Sequence, residues 1–196
     1  LFDIYVHIPF CIRYCAFCHY PVKIGASSEE KDIYLRMLEK EMGIYMRTLG
    51  VKKLRARSIL IGGGTPTYLS PAQLEKFLAS FASYVDLSSC SQFSYDVDPT
   101  TLIDPDGPAR IKIMRAHGVD RLTIGIQSFD EGILKVMNRA HNKDEALKAI
   151  RVSQEAGFKL NIGVDGWLIL QIIITHRQIS IPAQQISQSN SSSAIN

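Results

Sequence analysis

The stretch SILIGGGTPTYLSPAQLEKFLASF, residues 58–81, contains a strand, a turn and a helix in succession. Residues 58–61 predict a short apolar strand, and three glycines follow where the chain must turn. Ser70 precedes Pro71, and Gln73 lies three residues after Ser70, a pattern typical of a helix start. Apolar residues then recur at helical spacing at Leu74, Phe77, Leu78 and Phe81. This stretch therefore predicts one β/α unit.

The same order of elements recurs before and after this unit. Further strands are predicted at residues 4–8, 93–97, 121–126 and 158–164. Helices are predicted after caps at Ser27, Asp130 and Asn142 and around residues 109–117. The first helix has a predicted apolar stripe at Tyr34, Leu38, Met42, Tyr45 and Leu49. Alternating strands and helices predict an α/β fold of about five parallel units, in either an open doubly wound sheet or part of a β/α barrel.

The composition argues against several classes of partner. The chain has 22 Lys and Arg against 19 Asp and Glu, a net charge of +3, and the basic residues are scattered. This argues against binding to nucleic acid or to an anionic membrane surface. The longest apolar run, residues 167–174, is too short to span a bilayer. No signal peptide is visible, so we expect a cytoplasmic location.

Both ends of the chain suggest a sequence that is not complete. It begins at Leu1 rather than Met, close to a predicted strand. Residues 178–196 are rich in Gln, Ser and Asn and contain no charged residue, a composition that does not build a core. We expect a core domain over residues 1–165 and a divergent tail over residues 166–196, either disordered or frameshifted.

Chemically notable residues follow each predicted strand at the same end. They are the cysteine loop of residues 9–21, the glycines 62–64, Asp96 with Asp98, Gln127 with Ser128, and Asp165. Parallel α/β folds bind ligands at the carboxyl ends of their strands. The sequence therefore predicts a ligand site at this edge of the sheet.

Cys11, Cys15 and Cys18 form a CxxxCxxC pattern in one loop. Thiolates suit iron–sulfur clusters and zinc, but structural zinc usually has four ligands, commonly in two separated pairs. A 4Fe–4S cubane held by three cysteines leaves one iron open to a small molecule. The pattern favours a 4Fe–4S site over zinc or free thiols. Cys90 stands apart and is expected to be a small buried hydrophobe.

The other polar residues each have a structural alternative. The glycine run is either a tight turn or backbone exposed to a ligand. Asp96 is a candidate to hold a ligand ammonium or ribose hydroxyl, whereas Asp98 before Pro99 is more typical of a turn. Gln127 is unusual as a polar residue in an apolar strand, and Arg139 is more typical of a solvated surface charge.

Several motifs together resemble those of a known family. They are YVHIPFC at residues 5–11 with its CxxxCxFC continuation, GGGTPT at 62–67, SYDVDP at 94–99, GIQSF at 125–129 and MNR at 137–139. They are similar to radical S-adenosylmethionine (SAM) proteins, and more narrowly to the oxygen-independent coproporphyrinogen III oxidase family, which includes heme chaperones and class C radical SAM methyltransferases. The resemblance covers about residues 2–165 and implies a partial (β/α) barrel.

The resemblance also implies roles for individual residues. The implied ligands of a 4Fe–4S cluster are Cys11, Cys15 and Cys18. The implied SAM contacts are Tyr5, Phe17, Gly63, Gly64, Thr65, Asp96, Gln127, Arg139 and Asp165. Phe17 would contact the adenine through its backbone, and Tyr5, the implied catalytic residue, would lie beside SAM or substrate. Asp96 stands where the family commonly has Glu, one methylene longer.

The chemistry implied is reductive cleavage of SAM at the cluster, giving a 5′-deoxyadenosyl radical that takes hydrogen from a substrate. The implied partners are a small-molecule substrate, porphyrinogen-like or other, and an electron donor such as flavodoxin or ferredoxin. We expect a monomer.

Two departures from the family pattern keep alternatives open. His19-Tyr20-Pro21 stand where the oxidase proper has another cysteine, and the sequence after Asp165 leaves the family pattern. The sixth barrel unit and the C-terminal part that covers substrate are therefore expected to be absent. The alternatives to an oxidase-like enzyme are a heme chaperone, a class C methyltransferase or an inactive fragment.

Overall fold

The computed structural model describes residues 1–164. The predicted contact at Asp165 and the predicted tail at 166–196 lie outside the described residues, so both stay predictions, as does the domain boundary between them. Within residues 1–164, no helix is both long enough and apolar enough to cross a membrane.

The described chain contains eight strands and six α-helices. The strands are β1 (Phe2–Ile8), β2 (Phe10–Cys11), β3 (Lys23–Ile24), β4 (Leu54–Gly63), β5 (Val85–Asp86), β6 (Gln92–Val97), β7 (Arg121–Gln127) and β8 (Lys159–Val164). The helices are α1 (Ser28–Leu49), α2 (Pro71–Tyr84), α3 (Pro99–Ile103), α4 (Gly107–Ala116), α5 (Glu131–Val136) and α6 (Lys143–Glu155). All five predicted strands and the predicted helices are present, and β2, β3, β5 and α3 are additions.

The five long strands form one parallel sheet whose spatial order is β1-β4-β6-β7-β8. Each long strand therefore lies beside the next one in the sequence. A doubly wound sheet requires a reversal of strand order, at which its ligand binds, whereas a barrel wall adds strands in one direction. The topology thus decides between the two architectures that periodicity left open, in favour of part of a (β/α) barrel.

The two faces of the sheet differ in chemistry because successive side chains point to opposite sides. One face is apolar and packs against the helices through fully buried side chains, among them Ile59, Ile61, Leu122 and Ile124. On the opposite face, β4, β6, β7 and β8 each carry a polar side chain that is less buried, namely Ser58, Asp96, Thr123 and Asn161. The sheet therefore has one face that forms the core and one polar face.

The helix starts follow the predicted caps. Ser27, Ser70 and Asn142 each accept a hydrogen bond from the backbone N–H three residues later, and Glu30, Gln73 and Glu145 return the bond. These capping boxes satisfy backbone groups that the first helical turn leaves without partners. The ends also agree, since Gly50, Gly118 and Gly157 all adopt the left-handed conformation after a helix.

The predicted stripe on α1 is only partly correct. Tyr34, Leu38 and Met42 pack against the core, but Tyr45 and Leu49 are exposed. Leu35 and Met46 are buried instead. Tyr45 lies to one side of the buried stripe, and Leu49 is the last residue of the helix, so neither reaches the sheet.

Replacing Gly43 with alanine is expected to raise the free energy of unfolding by about 0.5–1 kcal/mol, because glycine inside a helix carries an entropic cost. The added methyl group would meet the Arg47 guanidinium at 3.5 Å and the Tyr84 hydroxyl at 3.8 Å, which are ordinary contacts. Urea denaturation measures the change. The contrasting variant is Gly107→Ala, whose methyl group would overlap the Leu102 carbonyl oxygen. Equal stability of the two variants would contradict this account of the packing.

Candidate cofactor site

A cavity of about 230 Å³ opens at the carboxyl ends of the parallel strands. It is lined by residues that lie within or after strands β2, β4, β6, β7 and β8. Those also predicted from the sequence are Cys11, Cys15, Phe17, Cys18, Gly63, Gly64, Thr65, Asp96, Gln127 and Arg139. The fold therefore brings together ten predicted residues that are up to 128 positions apart in the chain (139 − 11). The structure confirms this shared location, and their individual roles stay predictions.

The loop that contains the three cysteines, residues 9–22, is called the cluster loop here after its predicted role. Backbone pairing closes its base. Strand β2 pairs with β3 in parallel, and the Lys23 N–H donates to the Pro9 carbonyl at 2.7 Å. Inside the loop, the Cys18 N–H donates to the Cys15 carbonyl at 3.0 Å, and the Tyr14 hydroxyl donates to the Cys18 carbonyl at 2.7 Å. The loop is thus a closed and internally bonded unit.

The three cysteines of the loop are partly buried free thiols that line the same cavity. Burial raises the pKa of the Cys11 thiol, and a hydrogen bond from Thr65 at 3.5 Å partly opposes that shift. Within residues 1–164, no three His, Cys, Asp or Glu side chains converge to surround one metal ion. A cubane does not require such convergence, because each cysteine binds a different iron atom.

The glycine run forms the floor beneath the site, and each glycine packs against a different site residue. A methyl group on Gly62 would overlap the Asp96 carboxylate, and one on Gly63 would lie 2.7 Å from the His7 ring. A methyl group on Gly64 would lie 2.8 Å from the Phe10 carbonyl oxygen and 2.9 Å from the Cys11 sulfur. Gly63 also has a φ of 112°, which favours glycine. The run therefore makes the tight turn that one interpretation predicts. Since Gly63 and Gly64 also line the cavity, backbone contact with a ligand stays a prediction.

A second segment, residues 137–139, also forms hydrogen bonds to the cluster loop. The Met137 carbonyl accepts a hydrogen bond from the Ala16 N–H at 3.1 Å. The Asn138 side-chain amide donates to the Tyr14 carbonyl at 2.7 Å. Asn138 has a φ of 55°, a left-handed conformation that asparagine tolerates better than most residues. Sequence reasoning assigned Asn138 no role, although its position in the MNR motif was the available signal.

Arg139 is buried rather than solvated, which corrects the expectation of a surface charge. Its side chain is 9% exposed. One guanidinium nitrogen donates to the Cys15 sulfur at 3.1 Å, and the other pairs with the Asp98 carboxylate at 2.8 Å and donates to the Gly125 carbonyl. Its Nε–H is buried and has no hydrogen-bond partner among residues 1–164.

Asp98 caps a helix, as expected, and also forms an ion pair with Arg139. It caps α3 by accepting from the Thr100 N–H at 3.0 Å, as the turn interpretation predicted. Its second carboxylate oxygen holds Arg139, a contact that the sequence gave no means of predicting. Asp98 therefore belongs to the site.

Asp96 lies on the polar face of the sheet, at the cavity wall. Burial raises the pKa of its carboxyl group to about 6, and a hydrogen bond from the Thr123 side chain partly opposes the shift. A carboxylate with few partners in a cavity can accept hydrogen bonds from a hydroxyl or an ammonium group. The location fits the predicted role of Asp96 as a ligand contact.

Tyr5 lies beside the cavity rather than among its lining residues. Its hydroxyl is 2.9 Å from His7 Nδ1, and His7 Nε2 is 3.2 Å from the Pro21 carbonyl. Since the carbonyl can only accept, Nε2 carries the proton and Nδ1 accepts from Tyr5. The pKa of Tyr5 is raised by burial and by the nearby Tyr20 and Asp96. His7, to which sequence reasoning assigned no role, thus links Tyr5 to the cluster loop.

Gln127 has a φ of 70°, unusual for a residue other than glycine. The pairing of β7 with β8 shifts register at this point, between Gly125 and Gln127. Such outliers cluster at functional sites, where the surrounding structure maintains them. The conformation supports the prediction that Gln127 contacts a ligand.

Comparison with known proteins identifies the family. A sequence profile of the Radical SAM superfamily matches residues 5–170, so the chain belongs to that superfamily.

Among curated relatives, the heme chaperone HemW of Bacillus subtilis is 35% identical over 162 residues, covering 82% of this chain and 41% of the relative. The oxygen-independent coproporphyrinogen III oxidase of Escherichia coli is 30% identical over 156 residues, covering 80% of this chain and 33% of the relative. The solved coproporphyrinogen III oxidase (HemN) of Escherichia coli, described as a radical SAM enzyme, matches with a TM-score of 0.68 and 29% identity over 81% of this chain and 35% of that one. The chain thus spans about two-fifths or less of the length of these relatives.

Replacing Gly64 with alanine is expected to displace the cluster loop, because the new methyl group would press on the backbone at Phe10 and on the Cys11 sulfur. Overpacking of this kind costs about 1–3 kcal/mol. We expect iron and sulfide content after anaerobic reconstitution to fall strongly, while far-ultraviolet circular dichroism stays unchanged. The matched control is Gly43→Ala, which should retain the wild-type iron content. Full iron content in Gly64→Ala would show that this close approach is not needed.

Proposed function

We propose that the chain binds a 4Fe–4S cluster through Cys11, Cys15 and Cys18 and binds SAM beside it. The observation that carries this proposal is that three free thiols and the Arg139 side chain line one cavity in a radical SAM fold. Cysteine thiolates are the ligands that hold iron–sulfur clusters, and a guanidinium at the same cavity can donate hydrogen bonds to an anionic ligand group. When bound and reduced, the cluster would supply one electron for cleavage of the sulfonium S–C5′ bond of SAM, which gives methionine and a 5′-deoxyadenosyl radical.

The cavity residues then have distinct roles in holding SAM. Gly63, Gly64 and Thr65 present backbone and hydroxyl groups to the amino acid portion of SAM. Asp96 accepts hydrogen bonds from the ribose or the ammonium group. These assignments rest on the resemblance in sequence and on the location of each residue in one cavity.

Other residues in and beside the cavity contact the adenine, the rest of SAM and the substrate. Phe17 holds the adenine through its backbone, and the apolar Val22 lines the same cavity. Gln127 and Arg139 make further contacts with SAM. Tyr5, beside the cavity, orients the substrate or SAM through its hydroxyl, whose position is fixed by His7. Asp165 is proposed as a further contact on the resemblance alone.

The reaction we propose is oxidase-like, acting on a small molecule such as a porphyrinogen, with an electron donor such as flavodoxin or ferredoxin and in a cytoplasmic monomer. A heme chaperone is the second candidate. It is supported by the relatives named heme chaperone HemW, which reach 35% identity against 30% for the Escherichia coli oxidase. It is also supported by His19-Tyr20-Pro21, which replace the additional cysteine of the oxidase pattern.

Anaerobic reconstitution with iron and sulfide, followed by dithionite and SAM, tests the proposal. We expect 5′-deoxyadenosine to form, measured by liquid chromatography. Cys15→Ala should abolish both the iron–sulfur absorbance and the product, whereas Cys90→Ala, the matched control outside the cavity, should keep both. Heme binding with little 5′-deoxyadenosine would favour the chaperone. A protein that takes up no iron–sulfur cluster would overturn the proposal.

The pH dependence of SAM binding tests the role of Asp96. Because the pKa of its carboxyl group is about 6, Asp96 is neutral below that pH and charged above it. If the carboxylate is the form that binds, affinity for SAM should fall by up to about tenfold per pH unit below pH 6. Calorimetry across this range measures the effect. Asp96→Asn should bind more weakly with a flat profile between about pH 5 and 7, and a sloping profile in that variant would assign the dependence to another group.

A further inference from the structure

A continuous chain of polar contacts connects α3 to a cysteine of the cluster loop. Asp98 accepts from Arg139 at 2.8 Å, and Arg139 donates to the Cys15 sulfur at 3.1 Å. The two charged side chains are 14% and 9% exposed, so water screens their interaction little. The positive end of this pair faces the sulfur, and the negative end lies behind it.

Both ends of the pair are fixed by the backbone. The other oxygen of Asp98 accepts from the Thr100 N–H at 3.0 Å and from the Thr100 hydroxyl at 2.6 Å. Arg139 follows directly after Met137 and Asn138, which bond to the cluster loop. The guanidinium therefore cannot turn towards solvent without breaking contacts at one end.

We propose that Asp98 is a positioning residue that holds Arg139 against Cys15 as a neutral pair, and that this pair sets the reduction potential of the cluster. The inference rests on the proposed function. Hydrogen bonds to the cysteine sulfurs and net charge nearby both change the potential of an iron–sulfur cluster. A donor to sulfur and a positive charge favour the reduced, more negative cluster, and a nearby carboxylate opposes it.

The proposal predicts shifts of opposite sign for the two partners. Asp98→Asn removes the carboxylate charge and leaves Arg139 uncompensated, so the midpoint potential should rise. Arg139→Gln removes the donor to sulfur and leaves Asp98 uncompensated, so the midpoint potential should fall. A site that was merely opened to water would shift in the same direction in both variants.

A purely structural role for Asp98 is tested by the same substitution. Asparagine caps helices about as well as aspartate, so Asp98→Asn should keep the start of α3. The matched control is Asp130→Asn, since Asp130 caps α5 by accepting from the Ile133 N–H and does not line the cavity. If Asp98 only caps its helix, both variants should have the wild-type potential.

The experiment is a potentiometric titration with dithionite, which supplies one electron per cluster, monitored by electron paramagnetic resonance on the anaerobically reconstituted chain. We expect a higher midpoint in Asp98→Asn, a lower one in Arg139→Gln, and the wild-type value in Asp130→Asn. An unchanged midpoint in Arg139→Gln, or shifts of the same sign in both site variants, would overturn the inference. A wild-type chain that forms no cluster would instead refute the proposed function.

Discussion

The close approach of Gly64 to the cluster loop is the constraint on which the site depends. Its N–H donates to the Ile8 carbonyl at 2.8 Å, and the next N–H, from Thr65, donates to the Phe10 carbonyl at 2.7 Å. These bonds continue the pairing of β1 with β4 past the end of the sheet and into the loop. Only a residue without a side chain fits between the loop and the turn. The loop thus inherits its position from the sheet.

The bonds from Gly64 and Thr65 hold only the start of the cluster loop, next to the sheet. They would leave the part that contains Tyr14 and Ala16 without an attachment. Residues 137–139 supply the second attachment through the Met137 carbonyl and the Asn138 amide. This segment follows β7, two strands across the sheet from β4. The loop is therefore fixed between two β/α units, and its geometry depends on the order of strands in the barrel wall. Fold and site are linked in this physical sense.

Local signals in the sequence predicted most of the elements. Caps such as Ser70 with Gln73 act within a few residues, so the sequence contains the whole interaction. The order of strands depends on contacts between units, and periodicity left it open. The exposed Tyr45 shows the same limit, because its burial depends on where α1 meets the sheet and not on its own pattern.

The site was predicted best where a residue type alone limits the chemistry, as for the three cysteines. Arg139 shows why other site residues could not be predicted from residue type alone. A lone arginine after a short helix is usually solvated, and only the distant Asp98 and Cys15 make its burial possible. A buried charge without a partner is costly, so removing either member of the pair would leave the other charge uncompensated. The charge on Asp98 is thus required by Arg139, and its cap on α3 is a second use of the same carboxylate.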